Sequence, residues 1–303
     1  VVHVLERARK LGAQQIHVVV GHGAEAVEAT VSAADVQCHW QAEQWGTGHA
    51  VQQAIDACQA DSTVLVLFGD VPLIADQTLH KVISAAKTGV AMLSANLENP
   101  SGYGRVERDL HGEFIAVVEE KDATEAQRQL TEINTGVLAS NADALKAWLA
   151  RVDNQNAQSE FYLPDVLGLA RLDGEVVTVV CSDNVFDTLG VNSPQQLEQL
   201  ERLHQASLAD QLMTGGVVIS DRSRLDIRGR LECGRDVQLD VNVVIEGDVS
   251  LGDAVSIGAN CILRNARIGA GARILPFTHI EGAEVQSGAV IGPYARLRAG
   301  SVI

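Results

Sequence analysis

Residues 239–263, LDVNVVIEGDVSLGDAVSIGANCIL, carry a large aliphatic side chain at every sixth position. A six-residue period fits neither an amphipathic helix nor a simple alternating strand. It is typical of a parallel β-helix built from hexapeptides, in which the aliphatic side chains stack inside. An ordinary all-β domain with accidental spacing is the alternative, and the length of the series disfavours it. With two one-residue slips, the series comprises Leu239, Ile245, Leu251, Ile257 and Leu263, then Ile268, Ile274 and Ile280, then Val285, Ile291, Leu297 and Ile303.

The preceding part of the chain, residues 1–192, has a different pattern, in which short apolar runs alternate with helical stretches. This repetition predicts an α/β domain with a mainly parallel sheet and helices on both faces. Ligands are then expected in the loops after the strands, which end near Val20, Phe68, Ala95 and Val179. The predicted elements are strands at Ile16–Val20, Val64–Phe68 and Val90–Ala95, helices from Ala24 and over Asp76–Ala86, and a hairpin of Arg105–Arg108 with Phe114–Glu119.

A long amphipathic helix is predicted between the two parts, from Pro194 to Met213. The expected organisation is therefore an α/β domain over residues 1–192, a linker helix over 193–214 and a β-helix over 215–303.

The composition limits the partners of the protein. The 303 residues include 23 Lys and Arg against 39 Asp and Glu, which gives a net charge of −16. This balance argues against nucleic acid or an anionic membrane as the main partner, because both require clustered positive charge. The five cysteines are widely spaced without a CxxC pair, and no signal peptide or membrane-spanning run is evident, so a reduced, cytoplasmic chain is expected.

Both ends of the chain lie inside a pattern. The sequence opens at Val1 within an amphipathic helical segment, and it stops at Ile303 on an aliphatic position of the six-residue series. We therefore expect a piece of a longer protein that lacks both ends.

The first stretch that could carry chemistry is residues 41–50, QAEQWGTGHA. Its triplet Gly46-Thr47-Gly48 precedes a helix, where backbone N–H groups and a hydroxyl could bind a base edge or a phosphate. The alternative is a plain loop-to-helix junction.

A second stretch, Phe68-Gly69-Asp70, ends a predicted strand. A carboxylate at this point suits a divalent cation that bridges phosphates. The alternative is an Asp that starts the turn before Pro72. Asn192, which closes the first part, reads locally as part of the N-cap region of the long helix.

Three further positions have both a functional and a structural interpretation. Gly104 lies in a loop that could let the backbone approach a ligand, or it belongs to a simple turn. Glu119 lies in a charged run that is more often a solvated face. Asn134 could bind a sugar hydroxyl or form an Asx turn. In the second part, Arg296 and Arg298 could bind phosphate or remain solvated.

Taken together and in this order, these stretches resemble the family of bacterial bifunctional N-acetylglucosamine-1-phosphate uridyltransferase / glucosamine-1-phosphate N-acetyltransferases. The resemblance covers essentially the whole chain. It rests on QAEQWGTGHA at 41–50, GDVPL at 69–73, GYGR at 102–105, EINTG at 132–136, GVN at 190–192 and IGPYARLR at 291–298.

The resemblance implies a Rossmann-like nucleotidyltransferase sheet followed by a left-handed β-helix, and a homotrimer. It implies UTP and N-acetylglucosamine-1-phosphate as substrates of the first part, with Mg²⁺ as cofactor. The second part would belong to the acetyltransferase, which uses glucosamine-1-phosphate and acetyl-CoA. The implied roles are uridine binding by Gln41, Gly46 and Thr47, nucleotide contact by Gly69, Mg²⁺ binding by Asp70 and Asn192, sugar contact by Gly104, Glu119 and Asn134, and phosphate contact by Arg298.

The sequence also departs from this family. The family's first strand, its Gly-rich phosphate loop and the following Lys have no counterpart before Val1, and the later coils with the acetyltransferase's catalytic His have none after Ile303. We therefore expect both activities to be impaired in the 303-residue chain. The alternatives are another sugar-phosphate nucleotidyltransferase, such as one that acts on glucose-1-phosphate, or a non-catalytic scaffold with a degenerate transferase domain.

Overall fold

The computed structural model describes residues 1–303, apart from the side chain of Val185, and divides into two compact units, Val1–Asn192 and Ser193–Ile303. No α-helix in the described part of the chain is both long and apolar enough to cross a membrane. The elements of the first unit are α1 (Val2–Lys10), β1 (Ile16–Val20), α2 (Ala24–Val31), β2 (Val36–Trp40), α3 (Thr47–Ile55), β3 (Thr63–Val66), α4 (Asp76–Ala85), β4 (Gly89–Asn96), β5 (Arg105–Arg108), β6 (Phe114–Val118), α5 (Glu125–Arg128), β7 (Glu132–Asn141), α6 (Ala142–Leu149), α7 (Asp165–Leu172) and β8 (Val176–Cys181).

The main sheet of the first unit has the strand order β6-β5-β7-β4-β8, and β3 also pairs with β7. The expectation of a mainly parallel sheet was wrong. β4 and β8 run parallel, but β7 is antiparallel to β3, β4 and β5, and the β5–β6 hairpin adds a further antiparallel pair. The predicted strand at Ile16–Val20 and the hairpin are confirmed, whereas β2 was not predicted.

Strand β4 separates two apolar cores. Val90 and Met92 pack in a cluster with residues of α6 and α7, while Ala91 and Leu93 pack in a cluster with residues of α4. All four are at most 1% exposed. Because successive side chains of a strand point to opposite faces, a strand buried on both sides needs apolar residues throughout. The expectation of helices on both faces of the sheet is therefore confirmed.

Strands β1 and β2 form a separate parallel pair. A cavity of about 1040 Å³ is lined by β1 together with β3, α1 and α3. Its walls include apolar side chains such as Leu5, Val18 and Val66, and its lining reaches the loop residues Gly21, Thr47 and Gly69.

The second unit begins with the long helix and continues as short strands. Its elements are α8 (Pro194–Thr214), β9 (Val218–Ile219), β10 (Leu225–Cys233), β11 (Gln238–Leu239), β12 (Val243–Leu251), β13 (Ser256–Ile257), β14 (Ile262–Arg264), β15 (Arg267–Ile268), β16 (Arg273–Ile274), β17 (His279–Glu281), β18 (Glu284–Val285), β19 (Val290–Ile291) and β20 (Arg296–Leu297). All pairings among the strands are parallel and join segments 17 or 18 residues apart.

The aliphatic series of the sequence sets this register. Leu239 pairs with Ile257, which pairs with Ile274, which in turn pairs with Ile291, and all four are buried. The offset falls from 18 to 17 residues where the series takes a five-residue step, as from Leu263 to Ile268. The side chains of the series form one continuous core within this unit.

Helix α8 covers the edge of β10 through one buried side chain. Gln205 is 3% exposed, and it exchanges two hydrogen bonds of 2.8 Å with the backbone of Ile227. Leu208 and Leu212 of the same helix pack against the core of the second unit.

Candidate functional site

The loop before α3 is held in a tight conformation by two glycines. Gly46 has a φ of 106°, and a Cβ atom there would lie 2.6 Å from the carbonyl oxygen of Phe161. A Cβ atom on Gly48 would lie 2.9 Å from the same oxygen, to which the Gly48 N–H donates at 2.8 Å. Gln41 is 8% exposed, and its Nε2 donates to the Gly46 carbonyl at 3.2 Å. The structure thus brings together the predicted residues Gln41, Gly46 and Thr47.

Residues 161–163 form the other half of this loop's support. The Phe161 N–H donates to the Trp45 carbonyl at 2.7 Å, and the Leu163 N–H donates to Thr47 Oγ1 at 3.1 Å. Sequence reasoning missed this segment. It lies more than 110 positions away from the loop, and no local motif marks a contact of this kind.

The second group of predicted residues lies where the chain leaves β3. Asp70 accepts a hydrogen bond from the Val191 N–H through its backbone carbonyl, at 2.9 Å. A methyl group placed on Gly190 would lie 3.6 Å from Asp70 Oδ2 and 3.8 Å from Asn192 Nδ2. The side chains of Asp70 and Asn192 therefore approach the same point, and both residues are exposed.

This pair fits a magnesium ion by its chemistry. The described residues contain no group of three or more His, Cys, Asp or Glu side chains that could hold a metal. Mg²⁺ does not need such a cage, because it is usually held by one or two carboxylates together with water and substrate phosphates. One carboxylate and one amide that converge at an exposed strand end match this requirement.

The third group joins β5, β6 and β7. The Asn134 N–H donates to the Gly104 carbonyl at 2.8 Å, and a Cβ atom on Gly104 would lie 3.0 Å from Glu119 Oε1. Asn134 also forms the Asx turn, because its Oδ1 accepts from the Gly136 N–H at 2.9 Å. This turn uses only the side-chain oxygen of Asn134. The predicted residues Gly104, Glu119 and Asn134 thus lie together.

Acidic side chains surround Glu119. Burial raises the pKa of Glu119 above its usual value, and the neighbouring charges of Asp165, Asp122 and Glu160 add to the increase. Burial, followed by the charges of Asp153 and Asp122, raises the pKa of Asp165 to about 6. Carboxyl groups of this kind accept hydrogen bonds from hydroxyl donors such as those of a sugar.

The first and third groups are connected through the segment 160–165, and Phe68 connects the second to the third. Tyr162 and Asp165 in that segment lie near Glu119, while Phe161 and Leu163 bind the loop of Thr47. A Cβ atom on Gly136, which has a φ of 81°, would lie 2.4 Å from the Phe68 ring.

Arg298 belongs to the second unit and is exposed. β17 pairs with β20 so that Ile280 lies opposite Leu297, and the next position in this register places Arg298 beside Glu281. Glu281 lies 3.5 Å from Arg264, which pairs with Glu246, which lies 3.6 Å from Arg228. We call Arg228, Glu246, Arg264, Glu281 and Arg298 the charge row. Membership in this row is a structural role for Arg298 besides phosphate binding.

Comparisons with known proteins agree with this architecture. A family model described as the MobA-like NTP transferase domain matches residues 1–213. A glucose-1-phosphate thymidylyltransferase assigned in Bacillus anthracis has a solved structure that covers 67% of this chain and 80% of its own, with a TM-score of 0.54 and 14% identity. At this identity the likeness concerns the fold.

Sequence relatives are much closer. The bifunctional protein GlmU of Paraburkholderia xenovorans (strain LB400) is 51% identical over 300 residues, which cover 99% of this chain and 66% of the relative. The bifunctional protein GlmU of Paraburkholderia phymatum is 51% identical over 302 residues, which cover 67% of the relative. The chain thus spans 66% of the length of the first of these relatives. It belongs to the family of the bifunctional GlmU proteins, and its residues 1–213 match a MobA-like NTP transferase domain.

Proposed function

We propose that the first unit transfers a uridylyl group from UTP to N-acetylglucosamine-1-phosphate and so forms UDP-N-acetylglucosamine. The observation that carries this proposal is the convergence of Asp70 and Asn192 at one exposed point beyond β3. Support comes from the 51% identity to bifunctional GlmU proteins and from the loop that residues 41–48 form next to this point in the sequence.

In this proposal the reaction is an in-line attack of the sugar phosphate on the α-phosphorus of UTP, and catalysis consists mainly of positioning and charge neutralisation. Gln41, Gly46 and Thr47 hold the uracil and its ribose, and Gly69 lets the backbone lie close to the nucleotide. Gly104, Glu119 and Asn134 orient the N-acetylglucosamine group. Mg²⁺, held by Asp70 and Asn192, supplies charge neutralisation on the phosphates when it is bound.

We further propose that the second unit is a left-handed β-helix and forms the beginning of an acetyltransferase domain. Residues 1–192 are then the uridyltransferase domain, 193–214 the linker helix and 215–303 the start of the second domain. The complete protein would acetylate glucosamine-1-phosphate with acetyl-CoA, with Arg298 as a phosphate contact. It would assemble as a homotrimer and act in the cytoplasm. Parallel pairing at 17- and 18-residue offsets supports the β-helix.

The proposal is tested by calorimetric titration of the 303-residue chain with UDP-N-acetylglucosamine, UDP-glucose and dTDP-glucose in the presence of Mg²⁺. We expect UDP-N-acetylglucosamine to bind at least about ten-fold more tightly, a difference of ~1.4 kcal/mol. Preference for another sugar nucleotide would identify a different nucleotidyltransferase, and absence of binding to all three would favour a scaffold. A parallel assay with UTP and several sugar phosphates tests turnover, which we expect to be low.

A further inference from the structure

A continuous path of hydrogen bonds runs from the loop of Thr47 to the loop that carries Glu119. It begins at Leu163 and Phe161, whose backbone groups bind the residues of the first loop at distances of 2.7 to 3.1 Å. Between them lies Tyr162, whose hydroxyl donates to Asp122 Oδ2 at 3.3 Å.

Asp122 completes the path on the side of the proposed sugar subsite. Its backbone N–H donates to the Glu119 carbonyl at 3.0 Å, and its Oδ1 accepts from the Ala157 N–H at 2.9 Å. One carboxylate thus holds the end of β6 and the segment that contains Tyr162. A shift of either one moves the other.

Tyr162 is well suited to connect the two. Its side chain lies in a residue that is only 8% exposed, so an unpaired hydroxyl there would be costly. Burial and the Asp122 carboxylate raise the pKa of Tyr162, which keeps the hydroxyl protonated and able to donate at neutral pH. The aromatic ring is held by packing, and the hydroxyl is the atom that links the two loops.

We propose that Tyr162 is a positioning residue that couples the two subsites, so that a ligand at one raises the affinity of the other. This inference rests on the proposed function and adds a regulation of the same site. Because coupling is reciprocal, the sugar phosphate and the nucleotide change each other's affinity by the same factor. That factor is about 5- to 150-fold in proteins with comparable coupling.

The test is a pair of calorimetric titrations of the 303-residue chain with Mg²⁺ present. N-acetylglucosamine-1-phosphate is titrated alone and then with saturating α,β-methylene-UTP, which cannot react. The ratio of the two dissociation constants is the coupling factor. We expect at least about five-fold for the parent and about one for Tyr162→Phe, while the affinity of each ligand alone changes less than about three-fold.

Asp122→Asn removes the charge of the acceptor in the same bond and should show the same loss of coupling. Asp173→Asn is the matched control, because Asp173 accepts a hydrogen bond from the side chain of Trp148 at 3.0 Å and has no contact with this path. We expect it to keep the coupling factor of the parent. Circular dichroism establishes that each variant is folded.

The outcomes separate the inference from the proposed function. A parent-like coupling factor in folded Tyr162→Phe overturns the role of Tyr162. Independent binding of the two ligands to the parent also overturns it, but leaves the proposed function standing. Absence of binding of both ligands to the parent overturns the proposed function itself.

Discussion

Gln205 takes the place of a neighbouring strand for Ile227. Its Nε2 donates to the Ile227 carbonyl and its Oε1 accepts from the Ile227 N–H, both at 2.8 Å. Ile227 belongs to β10, which pairs with β12 on one side. A strand edge with open backbone groups invites association, and here a helix side chain occupies those groups.

We expect Gln205→Leu to destabilise the second unit by about 2–4 kcal/mol, because a buried donor and a buried acceptor lose their partners at ~1–3 kcal/mol each. Hydrogen exchange of the Ile227 amide measures the effect locally and should become faster. Gln211→Leu on the exposed part of the same helix is the control, with an expected change within about 0.5 kcal/mol. Equal protection of the Ile227 amide in both variants would contradict the role of Gln205.

Gly136→Ala should destabilise the first unit more than Gly112→Ala. Both glycines have a φ near 80°, at 81° and 83°, so both substitutions carry the backbone cost of about 1–2 kcal/mol. A methyl group on Gly136 would also lie 2.4 Å from the Phe68 ring, whereas Gly112 has open space. We expect an additional cost of about 1–3 kcal/mol for overpacking, measured by urea unfolding. Equal destabilisation of the two variants would show that Phe68 moves aside freely.

Asp165 should make the stability of the first unit depend on pH. Its pKa of about 6 lies above the value of about 3.9 in an unfolded chain. The folded protein therefore retains a proton that the unfolded chain has lost, and the stability contributed by the protonated carboxyl is complete below about pH 4 and is lost as the pH rises through 6.

We expect Asp165→Asn to remove this loss and to be more stable than the parent at pH 8, by about 1 kcal/mol after allowance for partial solvent screening. At pH 4 the two proteins should be similar. Thermal unfolding at several pH values measures the difference. A difference that stays constant from pH 4 to pH 8 would rule out titration of Asp165 as its cause.

Asp70→Asn should abolish the effect of Mg²⁺ on UTP binding. In the parent, we expect Mg²⁺ to tighten UTP at least about ten-fold relative to EDTA, because the ion joins a carboxylate to the phosphates. The variant keeps the size of the side chain but lacks its charge. Asp76→Asn is the control, since Asp76 is occupied by an ion pair with Arg7 at 2.6 Å. A Mg²⁺ effect of equal size in Asp70→Asn would exclude Asp70 as a ligand.

The register of the second unit could be predicted from the sequence because one side chain in six reports directly on burial. Ile257 and Ile274 are both about 1% exposed, and they are register partners. The direction of β7 could not be predicted in the same way. The apolar pattern of a strand is the same whichever way it runs, and only its neighbours β3 and β4 decide the pairing.

The candidate site shows the same division. Gly46 and Gly48 were singled out correctly, but for a possible approach of a ligand, whereas their immediate neighbour is the backbone of Phe161. That contact depends on the tertiary fold and has no local signal. Asn134 was assigned either a turn or a sugar contact, and the structure shows the turn while leaving its amide nitrogen outside that turn.

The offset between strands of the second unit restricts how its length can change. Deletion of residues 258–274 would join Ile257 to Leu275, the residue that now follows its register partner Ile274, and the aliphatic column would continue without interruption. The same deletion would remove Arg264 and bring Glu246 next to Glu281, two like charges. Deletion of residues 258–291 would instead place Glu246 next to Arg298. The interior thus tolerates a gain or loss of single turns, while the charge row on the surface favours an even number.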